Sequence, residues 1–580
     1  VGLVGAVAKS VDAGRPAVSR PVRRREPKGD SSPGSDWSDL LRRVMANRGV
    51  LDARDLGASL AEIIPVSQLA GVDQAAELLS RHRESGRVLI IGDFDADGAT
   101  STALMMRAMQ AMGFNSVDFL VPNRFEFGYG LTPEIVELSL QRTPTLLVTV
   151  DNGISSVEGA RRAAEAGLEL LVTDHHLPPS VLPEAQVIVN PNLVASDFPS
   201  KNLAGVGVAF YVMAALARKL DCGFSPARLL DLVALGTIAD VVPMDKNNRV
   251  LAQQGLKRIR AGKCAPGILA LLELSDRDAR RATAVDLAFG VAPRLNAAGR
   301  LDDMSLGIRC LMTEDPVQAR QWAAELDDLN KRRREIEGRM QEQALEAVKS
   351  LELDSSDELP PILCLFDPDW HQGVVGLVAS RIKEKVHRPV VAFARTEEGE
   401  LKGSARSVTG LHIRDAMDNV ATRHPSMLSK FGGHAMAAGL SLAEKDLDGF
   451  RQAMVEEVAR WTDDMDMQGV LWTDGELQPS EFNLESAELL REAAPWGQQF
   501  PEPRFDGLFH ILESRIVGEK HLKLRVRDAA GGDVLDAIAF GQAEMQDHLD
   551  QNMNLVYRLD VNEWQGRRRL QLMVENIQAQ

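Results

Sequence analysis

Three short apolar runs in the first part of the chain each end on acids. Residues 88–97 read VLIIGDFDAD, residues 146–151 LLVTVD, and residues 168–176 LELLVTDHH. Each run is β-branched or Leu-rich at nearly every position rather than at alternate ones, the pattern of strands buried on both faces of a parallel sheet. Helical stretches follow them, one from Ala99 to Met112 and one over residues 156–167. The repeat of strand, loop and helix from Arg87 to about Asp240 predicts an α/β domain with a parallel sheet. In such sheets ligands gather at the carboxyl ends of the strands. That edge is where Asp93, Asp95, Asp97, Asp151, Asp174, His175 and His176 follow their strands.

Carboxylates brought so close repel one another, and out of bulk water each is driven toward its protonated form unless a cation or hydrogen-bond donors hold it ionised. A shared cation is therefore expected. Asp240, ending the apolar helical run LVALGTIAD, is a fourth source of ligands. A lone Asp after a strand is most often a turn residue or a helix cap, and Asp93 reads equally as a loop cap and as a further ligand. Three such acidic motifs at successive strand ends of one domain are seldom a coincidence. Oxygen-rich ligation with one imidazole suits Mn²⁺ or Mg²⁺ better than zinc. Several carboxylates able to bridge suggest two metals of the kind that activate water in phosphoester hydrolysis.

At 580 residues the chain has room for several domains. Residues 1–36, rich in Pro, Arg, Ser and Gly, read as a disordered N-terminal tail, and residues 37–315 as the catalytic domain. Residues 316–355 form a long charged helix expected to bridge two domains in solvent. A second α/β unit spans 356–460, with alternating strands of a small β-barrel over 461–580. The net charge of −17 argues against an indiscriminate nucleic-acid coat but not against a local basic groove. Cys222, Cys264, Cys310 and Cys364 form no CxxC pair, so a reducing cytoplasm is expected. The opening VGLVGAV is too short for a signal-peptide core and no apolar run suits a membrane span, so no membrane partner is expected.

The ordered set DFDADGATS, RFEFGYGL, VDNGIS, VTDHH, GTIADVVPM, RLNAAGRL, WHQGVVGLVASRI, GSARS and FGGHAMAAG resembles the DHH phosphoesterase superfamily. Within it the closest likeness is to the bacterial 5′→3′ exonucleases specific for single-stranded DNA. The resemblance implies a site of two divalent ions, Mn²⁺ or Mg²⁺, held by Asp95, Asp97, Asp151, His175 and Asp240, with Asp93 a further candidate. It places His176 near the scissile phosphate and has Asp174 orient its neighbours from behind. The second α/β unit resembles the DHH-associated domain, with Ser404, Arg406, Gly432, Gly433, His434 and His371 as substrate-binding candidates. The glycines of FGGHAMAAG are read as a turn that presents amides to a phosphate at the start of a small-residue helix. The barrel resembles an OB-fold, with Lys520, His521, Lys523, Arg525 and Arg527 as contacts and Phe505 and Trp564 as base-stacking groups.

The expected activity is hydrolysis of single-stranded DNA from its 5′ end to 5′-mononucleotides in recombination and repair, by a monomer acting beside a helicase and a single-strand-binding protein. A cleft too narrow for duplex would select single strands. Two alternatives stay open. One is a phosphodiesterase of short oligonucleotides or cyclic dinucleotides, and the other is a non-catalytic replication scaffold.

Overall fold

A computed structural model describes residues 20–29, 37–56, 59–122, 127, 129–354, 359–428, 430–465, 469–564 and 566–579. Most of the expected N-terminal tail, and residues 124–126 and 128 of the RFEFGYGL motif, lie outside them. The chain forms two compact units, one of Asp52–Met467 with Ala494–Glu502, the other of Val1–Leu51, Gln468–Ala493 and Pro503–Gln580.

In the first unit, β1 (Val88–Ile91), β2 (Val117–Leu120), β3 (Leu146–Val150), β4 (Glu169–Thr173) and β5 (Val187–Val189) make a parallel sheet in the order β2-β1-β3-β4-β5. Every residue of β1 and β3 is buried, as their unbroken apolar runs require. This strand order reverses direction between β1 and β3, and the crevice so created is where ligands sit in sheets of this kind. Helices α1 (Ala96–Ala111), α2 (Pro133–Leu140), α3 (Val157–Glu165), α4 (Gly205–Leu220), α5 (Leu230–Ala239) and α6 (Ala292–Leu301) surround the sheet. Helix α1 starts three residues before the expected Ala99, because Asp95 caps it by accepting from Asp97 N at 2.9 Å and Gly98 N at 3.0 Å.

Helix α7 (Pro316–Asp354) is 39 residues long. The expectation of a solvated bridge is corrected. Its first half buries Ala319, Ala323, Leu326 and Leu329, and its later Met340, Ala344 and Val348 join the core of the second α/β layer. The charge that made it read as solvent-facing is partly internal. Asp327 accepts from Arg294 of α6 at 2.8 Å, and Glu337 from Arg333 and, at 3.2 Å, from Arg381.

The second layer is a five-stranded sheet of β6 (Leu363–Phe366), β7 (Val390–Arg395), β8 (Glu400–Arg406), β9 (Lys430–Gly433) and β10 (Ala437–Ala443), in the order β9-β10-β8-β7-β6. One face packs Leu401, Ala405, Leu440 and Leu442 against α9 (Ile413–Arg423) and α10 (Leu447–Val458). On the other face α8 (Val375–Val386) covers Val390, Ala392 and Ala394 of β7, its start packs against Ser404 and Arg406 of β8, and β10 and β9 are left bare. The expected helix after FGGHA is also corrected. Residues 437–443 form β10, paired antiparallel with β9 in a hairpin. Their buried residues Ala438, Leu440 and Leu442 recur with period two, which a helix could not bury on one face.

In the second unit, β11 (Phe505–Val517), β12 (His521–Asp528), β13 (Leu535–Ala539), β14 (Asn552–Trp564) and β15 (Arg567–Ala579) close a barrel in the order β11-β12-β13-β15-β14. Phe505, Phe509 and Tyr557 fill its interior, with Phe482 against them. Phe505 is therefore part of the core and not a base-stacking surface, because its place in the strand alternation points it inward. Part of the expected tail is ordered: Val22–Arg24 pairs in parallel with Leu471–Thr473. Asp474 ties this segment down, accepting from Asn47 at 2.9 Å and from Arg48 at 2.8 and 2.9 Å. Among the described residues no helix is long and apolar enough to cross a membrane.

Burial alone would raise the Asp474 carboxyl, but hydrogen bonds from Arg48 and Asn47 and the charge of Arg25 overcome it and hold the group below its ordinary value. The stability this contributes is complete above the unfolded carboxyl value of about 3.9. It is lost as pH falls through the lower folded value. Arg48→Ala, which leaves the carboxylate buried and short of its main partner, is expected to cost roughly 3–5 kcal/mol by denaturant unfolding of the second unit's transition. The same substitution should flatten the acid limb of that unit's stability curve.

Candidate metal centre and cleft

The acids after β1 and β3 and the histidines after β4 meet at the sheet's carboxyl edge, as their parallel register dictates. Oxygen or nitrogen atoms of Asp97, His175 and Asp240 lie within 4.8 Å of one another, and so do those of Asp93, Asp95 and Asp151. Asp151 also groups with His175 and His176, so it stands between the two sets.

Each carboxylate is held by the chain and still faces the centre. Asp97 accepts from Gly205 N at 2.6 Å and Val206 N at 3.0 Å, the first amides of α4, whose dipole favours a negative charge there. Gly205 is required, since a Cβ on it would lie 2.6 Å from Asp151 Cβ. Asp151 itself has φ 61°, a left-handed backbone uncommon outside glycine. Asp240 caps the carboxyl end of α5. Burial first, then mutual repulsion with neighbouring acids, pushes the carboxyls of Asp97 and Asp240 up to about 8 and that of Asp151 well above its ordinary value.

Three buried polar atoms here have no hydrogen-bond partner: Asp151 Oδ1, His175 Nε2 and Asp240 Oδ2. His175 Nε2 lies 3.1 Å from the first and 3.5 Å from the second carboxylate oxygen. Buried groups without partners are costly, and three of them converging, all of ligand type, fit divalent cations of the Mn²⁺ and Mg²⁺ class.

Asp174 lies behind this centre with both oxygens engaged. It accepts from His175 N at 2.7 Å, His176 N at 3.1 Å, His176 Nδ1 at 2.7 Å and Ile154 N at 2.9 Å. Burial would lower the His176 imidazole, but the hydrogen bond and charge of Asp174 outweigh it and raise the group to about 9. Tyr129, which the sequence reading passed over, donates to Asp151 O at 3.1 Å and packs edge-on against His176.

A cleft of about 1080 Å³ opens in front of these groups, with the bare strands of the second sheet as its other wall. Ser404, Arg406, Gly432, Gly433 and His434 all line it. Arg406 donates to Ser404 Oγ at 2.9 Å, and the start of α8 comes close because Gly376 has no Cβ to strike either side chain. The rings of His434 and His176 stack across the cleft with centroids 5.8 Å apart. His371 adjoins Gln372 and Gly373 of the wall, and its Nδ1 accepts from Gly373 N at 3.1 Å in the turn that leads into α8.

Asn296, Arg300, Lys402, Arg414 and Lys430 also line the cleft and were not singled out from sequence. Lys402 was within reach, because in LKGSAR it shares the strand period of Ser404 and Arg406. Asn296 accepts from Ala96 N at 2.7 Å across 200 residues, a pairing no local pattern announces. In the barrel unit, His521, Lys523, Arg525 and Arg527 share the outer face of β12, with exposed Phe540 edge-on to His521. Lys520 lies in the turn before β12, and the side chain of Trp564 lies outside the described residues.

Comparison with known proteins agrees with this architecture. The DHH family N-terminal domain matches residues 87–237, the DHHA1 domain residues 360–460 and the RecJ OB domain residues 473–576. The single-stranded-DNA-specific exonuclease RecJ of Dickeya dadantii is 53% identical over 567 residues, covering 96% of this chain and 98% of that protein. The crystal structure of Thermus thermophilus RecJ with Mn²⁺ superposes with TM-score 0.77 at 31% identity, covering 93% of this chain and 76% of that one. The same protein with Mg²⁺ gives 0.71 at 29%, covering 93% and 74%. With that identity along almost its whole length, and all three domain types in order, the chain belongs to the RecJ family of the DHH superfamily.

Proposed function

We propose that the chain is a metal-dependent exonuclease that degrades single-stranded DNA from its 5′ end. The observation that carries this reading is the convergence of partnerless ligand atoms on one wall of a cleft whose other wall presents Ser404, Arg406 and His434. Asp97, His175 and Asp240 would hold one Mn²⁺ or Mg²⁺ and Asp93 and Asp95 a second, with Asp151 shared; when bound, such ions acidify water and offset charge on a leaving oxygen.

The protein's own groups supply the rest. Asp174 holds the His176 imidazole through Nδ1 and the backbone of His175 through its amide, and His176 offers a donor to a phosphate oxygen. Arg406, Ser404 and His434 would bind the phosphate nearest the 5′ end, one nucleotide from the cut. Water's oxygen joins phosphorus and the bond to the 3′ oxygen breaks, so the released nucleotide keeps a 3′-hydroxyl and the strand gains a new 5′-phosphate. That new phosphate suits the same Arg406 pocket in the next round, which gives the reaction its direction. The two facing imidazoles leave a passage too narrow for duplex, whose major groove alone is about 12 Å wide. A monomer acting in the cytoplasm beside a helicase and a single-strand-binding protein completes the proposal. The outer face of β12 would track the strand.

Digestion of one oligonucleotide labelled at either end tests the reading. Immediate release of labelled mononucleotide from the 5′ end, and silence under chelator, is expected. Survival of long strands while di- to tetranucleotides disappear would instead make it a small-substrate phosphodiesterase. Independently of activity, Mn²⁺ at about 100 times its Kd is expected to stabilise the protein by about 2.7 kcal/mol, read as a thermal shift that Asp151→Asn abolishes. Arg406→Ala should weaken binding of 5′-phosphorylated ends by about 10- to 100-fold relative to 5′-hydroxyl ends, the magnitude of a charged hydrogen bond.

A further inference from the structure

The cleft face of the second sheet extends past Arg406, and what lies there has no part in the reaction just described. Along β8 buried and half-buried residues alternate, so Lys402, Ser404 and Arg406 share the face opposite the core residues Leu401 and Ala405. Strand β10 sets Ala437 opposite Arg406, Gly439 opposite Ser404 and Ser441 opposite Lys402. Strand β9 extends these rows with Gly432 opposite Gly439 and Lys430 opposite Ser441. The result is a trough floored by small residues. A Cβ on Gly432 or Gly439 would meet nothing within 4 Å. Lys402 and Lys430 flank its far end, two strand spacings or about 10 Å apart.

The rows have an order relative to the metal centre. His434 N donates to Ala437 O at 2.8 Å, in the Arg406 row, and its ring stacks on His176. The Lys402, Ser441 and Lys430 row lies on the far side of Ser404, about 7 Å further along the strand. The same cleft is lined by Thr132 and Pro133 at the start of α2, where Lys430 acts on Glu134, and by Ser155, Ser156 and Val157 at the start of α3. Ser156 accepts from Leu131 N at 3.0 Å and does not cap its own helix, so the first amides of α3 have no side-chain cap. Uncapped helix starts favour anions. Among the described residues neither lysine is ion-paired or hydrogen-bonded. Glu134 and Glu398 feel them only at longer range, and Glu158, which also lines the cleft, pairs with Arg161.

We propose that Lys402, Ser441 and Lys430, in the cleft that the starts of α2 and α3 also line, form a second anion subsite for a phosphoryl group on the 5′ side of the terminal phosphate bound at Arg406. The inference rests on the reading of Arg406 given above. A strand ending in a monophosphate stops at Arg406. A group reaching the second row is either the outer phosphates of a 5′-polyphosphate or the linkage to one more nucleotide, in which case the same hydrolysis releases a dinucleotide.

The test compares 3′-labelled oligonucleotides carrying a 5′-hydroxyl, 5′-monophosphate or 5′-triphosphate, bound under chelation to the wild type, Arg406→Ala and the double variant Lys402→Ala/Lys430→Ala. First products from the same strand labelled in its 5′-monophosphate are then resolved with Mn²⁺. Two wild-type results each support the subsite, provided the double variant removes them. Triphosphate ends that bind about five-fold tighter than monophosphate ends assign it to polyphosphate, and dinucleotide among the first products assigns it to a further linkage. Neither effect in the wild type, or an equal loss for all three ends in the double variant, overturns it. A wild type indifferent to 5′-monophosphate against hydroxyl, with Arg406→Ala equally indifferent, would instead remove the reading of Arg406 and the subsite with it.

Discussion

Mutual repulsion among Asp93, Asp95, Asp97, Asp151 and Asp240 is the constraint that the catalytic half of the molecule is arranged around. No chain would gather these carboxyls by default, and each is held by something specific: helix-start amides for Asp97, a cap for Asp95, a left-handed backbone for Asp151. Neutralising them by burial alone would leave protonated acids with nothing to do. A divalent cation would resolve the conflict by pairing with the oxygens that the protein leaves without partners. The parallel sheet makes the gathering possible, because its strand order turns at β1 and β3 and opens a crevice at the carboxyl edge.

Charge is sorted between the two walls of the cleft. The acids lie on one side, while Lys402, Arg406, Arg414 and Lys430 lie on the other. A net charge of −17 conceals this sorting entirely. For a phosphodiester substrate the division is what chemistry asks for, with cations held where the linkage breaks and fixed positive groups where the neighbouring phosphate must be located. Helix α7 holds the walls in register. Its buried ion pair to Arg294 of α6 is the kind that costs more to break singly than it adds as a pair, and a half-exposed one joins Glu337 to Arg381 of α8.

The acidic wall was largely legible from sequence. An unbroken apolar strand followed by DxD, DNG or DHH carries its own placement, because a parallel sheet forces successive strand ends to one edge. The opposing wall was less legible. Gly432 and Gly433 read as a turn into a helix and proved to be one strand of a hairpin, since small residues satisfy both periods and only burial of Ala438, Leu440 and Leu442 separates them. Phe505 read as an exposed ring because strand alternation does not say which face is inward.

What the sequence by itself determined were the elements whose meaning is local: apolar strands, acids at their ends, the strand period of Lys402, Ser404 and Arg406, and the order of domains. Only the tertiary structure decided which distant groups share a site. The amides of Gly205 and Val206 on Asp97, Asn296 on Ala96, Tyr129 on Asp151 and Asp474 on Arg48 are contacts between segments that carry no mutual signal. The physical reason is that propensity and periodicity act along the chain over a few residues, whereas solvation and charge act through space, after the fold has chosen the neighbours.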